Sequence, residues 1–428
     1  MTLYRDKAPG NGNLDLRTIK LPDPDTAKLD SGITFYGIEG GSQDLCKIEF
    51  IFRAGSDKQQ KSLVAAYTNS MLKEVTKTRS SKEISEKLDF YGAFLEHYTT
   101  PDTSVVALYT LNKYLAETIP VFLDLIFNAT FPENEFFVHN RRQLQQYQVN
   151  RKKVQYLASK RFRPVIFGKE HPYGKEVEET SFTNISTEDL KAFYKNYYVA
   201  GNARIIISGK IDNQVIPLLN KYIPKHSESR LTSSELNFSI NESSREEVII
   251  PVENVVQSAV RLGSLMINRT HEDYAAAEFT CAVLGGYFGS RLMKNIREDK
   301  GYTYGIGSRM VPLKNGAYFN IAAEVGTDVT SATIEEVRKE MKRLRTEEMP
   351  AEEPALVKNY LRGSLIRNFD GPMALGERFR EMSDADLDNT FYQKAFDTVE
   401  TITTHEIMET AEKYFHEDGL SIVVAGKR

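Results

Sequence analysis

The sequence contains few cysteines, no long apolar run and no excess of either charge. Its 428 residues include two cysteines, Cys46 and Cys281, each with apolar neighbours. Thiols in such surroundings are usually buried, and two that lie so far apart in the chain do not make a cysteine-based metal site. We therefore predict two free, buried thiols.

The chain also lacks the segments that direct a protein into or across a membrane. It has no run of about 18 apolar residues, and its opening MTLYRDKAPGNGNLD has no apolar stretch of the signal-peptide kind. We expect no membrane span and a cytoplasmic location, unless a leader had been removed. With 55 Lys and Arg against 59 Asp and Glu, no broad field attracts nucleic acid or an anionic membrane, so neither is expected as a partner.

A repeat is the most informative feature of what the sequence does contain. Residues 185–210 (ISTEDLKAFYKNYYVAGNARIIISGK) align without a gap with residues 402–427 (ITTHEIMETAEKYFHEDGLSIVVAGK). Each copy starts with a helix N-cap, Ser186 or Thr403, and each closes with a β-branched strand that ends in Gly-Lys. The pattern predicts that one unit of structure occurs twice.

The beginnings of the two halves also correspond. An alternating strand ends in Arg-Ala-Gly-Ser within residues 48–56, and another ends in Arg-Leu-Gly-Ser within residues 257–264. In each half, helical segments and a turn glycine follow, Gly92 or Gly301. After the glycine, two alternating segments predict a β-hairpin.

This order of elements predicts an α+β fold of two homologous domains, each a largely antiparallel sheet with helices packed on one face. We assign residues 1–228 to the first domain and residues 248–428 to the second. Between them, residues 229–247 are rich in Ser, Asn and Glu, which is typical of a solvated linker.

One polar cluster in the second domain has residue types that could bind a carbonyl or carboxylate group. In GSRLMKNIREDKGYTYGIGS (289–308), Arg297 lies on a predicted helix that stops at Gly301, and Tyr304 follows on a strand. A guanidinium fork and a phenol seven residues apart can converge on a carbonyl or carboxylate group. The alternative is an ordinary helix C-terminus, where the dipole favours a cation, followed by an aromatic strand residue. The residue types by themselves favour this alternative.

A family resemblance reverses that preference. The segments RAGS (53–56), HPYG (171–174) and GGYFGSRLMKNIREDKGYTYGIGS (285–308) together resemble the pitrilysin/insulinase metallopeptidases. The resemblance extends over essentially the whole chain and implies two α+β domains that form half of a clamshell around a chamber. It also implies that Arg297 and Tyr304 hold the substrate backbone near the scissile bond.

The zinc motif of that family is absent at its expected place. Active members carry His-x-x-Glu-His on the first helix, where two histidines bind zinc and the Glu activates a water molecule. Aligned on Arg-Ala-Gly-Ser, the helix LVAAYTNSMLKE (63–74) has Ala66, Asn69 and Ser70 at these positions, which form a small polar notch. The third ligand, a Glu in the family, falls at Gln146 or its immediate neighbour, and a neutral amide does not replace it. The resemblance thus implies that this chain binds no metal.

The metal positions lack their ligands, whereas the Arg297–Tyr304 pair is present. Together these features predict two chains, of which one binds zinc and the other helps to bind the peptide. We expect a non-catalytic subunit of a heterodimeric zinc metallopeptidase, inactive alone, that binds peptide or unfolded polypeptide. A related partner subunit with the zinc motif would carry the zinc. Two alternatives stay open. One is a structural scaffold, like the core subunits of the respiratory bc1 complex, in which the pair serves packing. The other is a peptide-binding homodimer that does not cleave the peptide.

Overall fold

The computed structural model describes residues 15–19, 21–225 and 245–428. Within these ranges, no helix is both long and apolar enough to cross a membrane. The predicted linker, residues 229–247, lies outside the described residues except for its last three positions. Both cysteines are free and buried, as predicted.

The described part of the first half forms one six-stranded sheet. Its strands are β1 (Asp25–Lys28), β2 (Thr34–Glu39), β3 (Leu45–Phe52), β4 (Phe94–Thr99), β5 (Ser104–Leu111) and β6 (Ala203–Gly209). They lie in the order β1-β2-β6-β3-β5-β4, and every neighbouring pair is antiparallel except β2 with β6.

Helices follow and connect these strands. They are α1 (Val64–Met71), α2 (Ser81–Phe90), α3 (Leu115–Phe127), α4 (Glu133–Asn150), α5 (Val154–Phe167), α6 (Ser181–Asn184), α7 (Thr187–Tyr197) and α8 (Val215–Tyr222). Pro132 is the N-cap of α4 and lies between α3 and α4, a position where its missing backbone N–H costs no helical hydrogen bond. The inward side chains of β3 include Phe50 and Phe52, both fully buried, and each such phenyl group contributes on the order of 2–3 kcal/mol by leaving water.

The described part of the second half forms a five-stranded sheet. Its strands are β7 (Glu247–Pro251), β8 (Gln257–Leu265), β9 (Thr303–Leu313), β10 (Gly316–Gly326) and β11 (Ser421–Gly426). Its helices are α9 (Tyr274–Cys281), α10 (Thr330–Thr346), α11 (Glu352–Asn368), α12 (Pro372–Asp384), α13 (Thr390–Thr401) and α14 (Thr404–Tyr414). Two π-helical segments, Ala282–Gly286 and Met293–Asp299, lie between α9 and β9.

The two sheets repeat one plan, which confirms the predicted duplication and the α+β class. The order β2-β6-β3-β5-β4 in the first sheet corresponds to β7-β11-β8-β10-β9 in the second, and the single parallel pair falls at the same place. Helices α7 and α14 both begin with a reciprocal capping box, at Ser186 and Thr403. The turns before β4 and β9 both use a glycine in the left-handed region, Gly92 at φ +63° and Gly301 at φ +66°.

Two helices pack across the halves. Helix α5 of the first half packs against β8 and β11 of the second sheet, and its Phe162 and Ile166 are buried beside Val423. Helix α12 of the second half packs against β6 and β2 of the first sheet, and the rings of Phe379 and Tyr36 lie 5.0 Å apart. Each sheet therefore carries helices of its own half on one face and a helix of the other half on the second face. The sequence pattern predicts the first arrangement but not this exchange.

Candidate functional site

The polar notch of α1 is used for packing inside the protein. Ala66 is exposed, Ser70 is half-buried, and Asn69 is buried with 1% of its surface exposed. The Asn69 side-chain amide donates to the carbonyl oxygens of Tyr98 at 2.8 Å and Val105 at 3.1 Å. Asn69 thereby ties α1 to strands β4 and β5.

The Ser70 side chain faces a histidine of α4 that the sequence did not single out. Its Oγ lies 3.2 Å from His139 Nε2, and it also lies 3.2 Å from the carbonyl oxygen of Tyr67. The Tyr67 ring meets the His139 ring edge-on at 4.6 Å, and its hydroxyl donates to Asn140 Oδ1 at 3.0 Å. These contacts hold α1 against α4.

The Ser70–His139 pair is poorly suited to nucleophilic catalysis. Burial lowers the pKa of His139 to about 4, and the positive charges of Arg142, Lys73 and His97 act in the same direction. A serine nucleophile needs a base that can take up its proton and a partner that stabilises the resulting imidazolium. Here the other ring nitrogen, Nδ1, lies 3.4 Å from the Arg142 guanidinium rather than near a carboxylate. The pair therefore serves packing.

Gln146 lies apart from these contacts. It is exposed on α4, and its side-chain amide donates to Asn150 Oδ1 at 3.2 Å. His139, seven residues earlier and about 10 Å along the helix axis, is the α4 residue that meets Ser70.

The residues at the vacated positions do not fit a zinc ion. Ala66 has no donor atom, and Asn69 offers only a neutral amide oxygen, because its amide nitrogen donates to two carbonyl oxygens. Zinc in this class of site takes nitrogen and carboxylate ligands. Among the described residues, no group of three or more His, Cys, Asp or Glu side chains is arranged to hold a metal.

The segment that carries Arg297 and Tyr304 has the opposite character. The π-helical segment ends at Asp299, Gly301 turns the chain, and β9 then begins at the edge of its sheet. Arg297 lies with its guanidinium carbon 4.3 Å from the ring centre of Phe288. Phe288 is 62% exposed and Tyr304 is 91% exposed.

No partner within the described residues holds Arg297 or Tyr304 by a side-chain hydrogen bond or an ion pair. Arg291, one of the two arginines on this stretch, behaves differently, because its Nε and Nη2 atoms bind the two carboxylate oxygens of Glu353 at 2.7 and 2.9 Å. A bidentate pair of this kind anchors the segment to α11. Arg297 therefore remains available to a ligand, whereas Arg291 does not.

Two family models match consecutive parts of the chain. The model described as "Insulinase (Peptidase family M16)" matches residues 39–180, and the model described as "Peptidase M16 inactive domain" matches residues 184–361. Together they extend from residue 39 to residue 361 and include α1 and the segment with Arg297 and Tyr304.

Curated relatives carry both active and inactive descriptions. An "uncharacterized zinc protease" of Rickettsia felis is 22% identical over 93% of this chain and 96% of its own length. The "probable inactive metalloprotease" YmfF of Bacillus subtilis is 23% identical over 57% of each chain. The "non-peptidase homolog" YmxG of Helicobacter pylori is 25% identical over 74% of each chain.

Solved structures share the fold over nearly the whole chain. A peptidase M16 inactive domain from Pseudomonas fluorescens matches with a TM-score of 0.85 at 22% identity, covering 95% of this chain and 99% of its own. A protease from Helicobacter pylori matches with a TM-score of 0.84 at 16% identity, covering 95% and 100%. This chain is a member of the insulinase family of peptidases, family M16, and lacks the zinc motif of that family.

Proposed function

We propose that this chain is a non-catalytic subunit of a two-chain zinc peptidase. A related chain with an intact His-x-x-Glu-His motif supplies the metal, and this chain supplies Arg297, Tyr304 and part of the wall around the peptide. The observation that carries the proposal is the 91% exposure of Tyr304, on a segment whose Arg297 lacks a carboxylate partner among the described residues.

The exposure speaks against the scaffold alternative, in which the pair serves internal packing. An aromatic side chain kept for packing gains its stability by leaving water, and Tyr304 has not left it. Phe288 and Tyr304 are exposed instead, and Arg297 of the same segment is half-buried against the Phe288 ring. Exposed groups of these types are common where peptides bind.

The chemistry of the pair matches a peptide backbone. The guanidinium group offers several N–H donors in one plane, and the phenol can donate or accept. Tyr304 lies on β9, an edge strand of its sheet, and an edge strand can also pair with an extended peptide through its own backbone groups. Correct placement of a scissile bond against a partner's metal-bound water lowers the barrier to hydrolysis.

The test is activity of the assembled pair of chains. The full chain is co-purified with a zinc-motif relative from the same genome, and chelator-sensitive cleavage of a fluorogenic peptide is followed. We expect Arg297→Ala and Tyr304→Phe each to lower kcat/KM of the complex by roughly tenfold or more, since a lost positioning contact is worth about 1.4 kcal/mol or more. The zinc content of the partner should not change.

Arg338→Ala is the matched control for this experiment. Arg338 pairs only with its helix neighbour Glu335 on α10, so its loss should leave turnover unchanged. Unaltered cleavage by both Arg297→Ala and Tyr304→Phe complexes would contradict the proposal, as would stoichiometric zinc or peptidase activity in the isolated chain.

A second candidate is a peptide-binding homodimer that does not cleave. The description of a Helicobacter pylori relative as a "non-peptidase homolog" favours it. It predicts that the isolated chain sediments as a dimer, binds an unfolded polypeptide and leaves it intact, and that no zinc-bearing chain joins the assembly. The two-chain proposal predicts a mixed complex instead.

A further inference from the structure

A second cationic region lies where the two halves of the chain meet. A cavity of about 650 Å³ is enclosed by α5, by strands β8, β9 and β10, and by the π-helical segment at Gly285. Three arginines line it, Arg163, Arg261 and Arg309, and no aspartate or glutamate is among its described lining residues. We call this space the arginine cavity.

Arg261 is buried in the wall of the arginine cavity without a counter-ion in contact. It is 6% exposed, and its Nε and Nη2 atoms lie 3.3 and 3.1 Å from Ser159 Oγ. Its Nη1 atom donates to the carbonyl oxygens of Val260 at 2.9 Å and Ala323 at 3.4 Å. All these acceptors are neutral, so they orient the guanidinium group but do not balance its charge. A buried charge in this state is costly unless an anion joins it.

The other two arginines, Arg163 and Arg309, add positive charge to the lining of the arginine cavity. Arg163 is half-buried on α5 and Arg309 is exposed on β9, and neither side chain has a hydrogen bond or ion pair with a described residue. Burial raises the pKa of Tyr318, a lining residue between them, while both cations act to lower it. The pKa of Arg261 is lowered, first by burial and also by Arg309, with Glu324 acting in the opposite direction. The three guanidinium groups therefore share one electrostatic environment.

An unpartnered amide in the same wall also points to a ligand. Asn320 lines the cavity and is 6% exposed, and its Oδ1 atom is buried without a hydrogen-bond partner among the described residues. A buried polar atom left without a partner costs about 1–3 kcal/mol. Asn320 Oδ1 can only accept a hydrogen bond, so an N–H group of a bound peptide would satisfy it, while the N–H groups of the same side-chain amide can donate to a carboxylate.

We propose that the arginine cavity binds a carboxylate of a peptide, in the space between Arg261, Arg163 and Arg309. The proposal rests on the function proposed above in taking the ligand to be a peptide. Planar guanidinium groups match a carboxylate in a bidentate way, and Arg261 is already oriented by Ser159. The carboxylate belongs either to the C-terminus of the peptide or to an aspartate or glutamate side chain.

The experiment measures peptide binding by the isolated full chain, so it does not depend on a zinc partner. Four octapeptides of Ala, Gly and Ser, each labelled at the N-terminus with a dye that has no carboxylate, are compared by anisotropy, with one Glu or Gln in the sequence and a free or amidated C-terminus. We expect the peptide with neither carboxylate to bind at least roughly tenfold more weakly than the peptide with both, in keeping with charge-assisted hydrogen bonds. The member of the set that loses affinity identifies which carboxylate is bound.

The double variant Arg163→Gln/Arg309→Gln should abolish this preference without disturbing buried Arg261, with folding checked by circular dichroism. The double variant Arg151→Gln/Arg338→Gln removes the same charge from one exposed and one half-buried position elsewhere and should retain the preference. Equal binding of all four peptides, no binding at all, or a preference that survives Arg163→Gln/Arg309→Gln would overturn the inference. Failure of the two-chain peptidase activity would leave these results untouched.

Discussion

Helix α1 and the segment from Phe288 to Tyr304 are in opposite physical states. The first carries the positions that lack zinc ligands, and the second carries the proposed peptide-binding pair. At α1, the Asn69 amide and the Ser70 hydroxyl are bonded to groups of the same chain. In the second segment, Tyr304 and Phe288 face solvent. The side chains of α1 are therefore used for packing inside the chain, whereas Phe288 and Tyr304 lie at its surface.

The internal repeat sharpens this comparison. The turn glycines Gly92 and Gly301 differ by 209 positions (301 minus 92). With the same offset, Leu88 and Leu95 of the first half correspond to Arg297 and Tyr304 of the second. Leu88 is 4% exposed and belongs to the first core, and Leu95 packs against that core. The residues around this turn therefore pack into the core in the first half but not in the second. If Arg297 and Tyr304 served only to build the turn, this difference would not be expected.

The largest effect on stability is expected at α1. Asn69→Ala removes two buried hydrogen bonds and leaves a small cavity, so we expect the free energy of unfolding to fall by about 2–3 kcal/mol. Urea unfolding followed by circular dichroism measures it. Ser70→Ala removes the longer contacts of a half-buried hydroxyl with Tyr67 and His139 and should cost less than half as much. Equal losses for the two variants would contradict the role given to Asn69.

A pH effect of intermediate size should arise from His139 beneath the same helix. Its pKa of about 4 lies below the ordinary value of 6.5, so the unfolded chain takes up a proton first as the pH falls. Stability from this group is complete above pH 6.5 and is lost on the way down to pH 4, by an amount on the order of 2 kcal/mol between pH 7.5 and pH 5.

The matched measurement compares the protein with His139→Gln at both pH values. Burial also lowers the pKa of His97 and His171, so the protein as a whole loses stability in acid, and only the difference between the two chains reports on His139. An identical loss in the variant would show that His139 does not contribute.

The smallest effect is expected in the second segment. Tyr304→Ala should change the free energy of unfolding by less than about 0.5 kcal/mol, as is usual for exposed positions. Arg297→Ala should cost no more than about 1 kcal/mol, through loss of its contact with Phe288. A loss above 2 kcal/mol in either variant would favour a packing role and remove the contrast between the two regions.

Local patterns in the sequence were enough to predict much of the fold. The capping boxes at Ser186 and Thr403, the hairpins after Gly92 and Gly301 and the repeat itself depend on residues close together in the chain. Such contacts leave a periodic pattern. The helix exchange of α5 and α12 leaves none, because an apolar helix face does not specify which sheet it will cover.

The candidate site, like the fold, could be predicted from the sequence only in part. The absence of histidine and carboxylate side chains at positions 66, 69 and 70 can be read directly from the sequence, because folding does not change which atoms a side chain has. The partner of Ser70 could not be read in this way. His139 lies 69 positions from Ser70, belongs to no motif and looks like any other histidine of the sequence.

The sequence by itself determined that the chain is a duplicated α+β protein of the insulinase family and that its zinc motif is missing, because these properties depend on residue types and short spacings. Only the tertiary structure decided that Asn69 is bonded inward, that Tyr304 faces outward, and that Arg163, Arg261 and Arg309 from two halves of the chain share one cavity. Exposure and shared electrostatic environment depend on which distant segments pack together, and that is settled only when the chain folds.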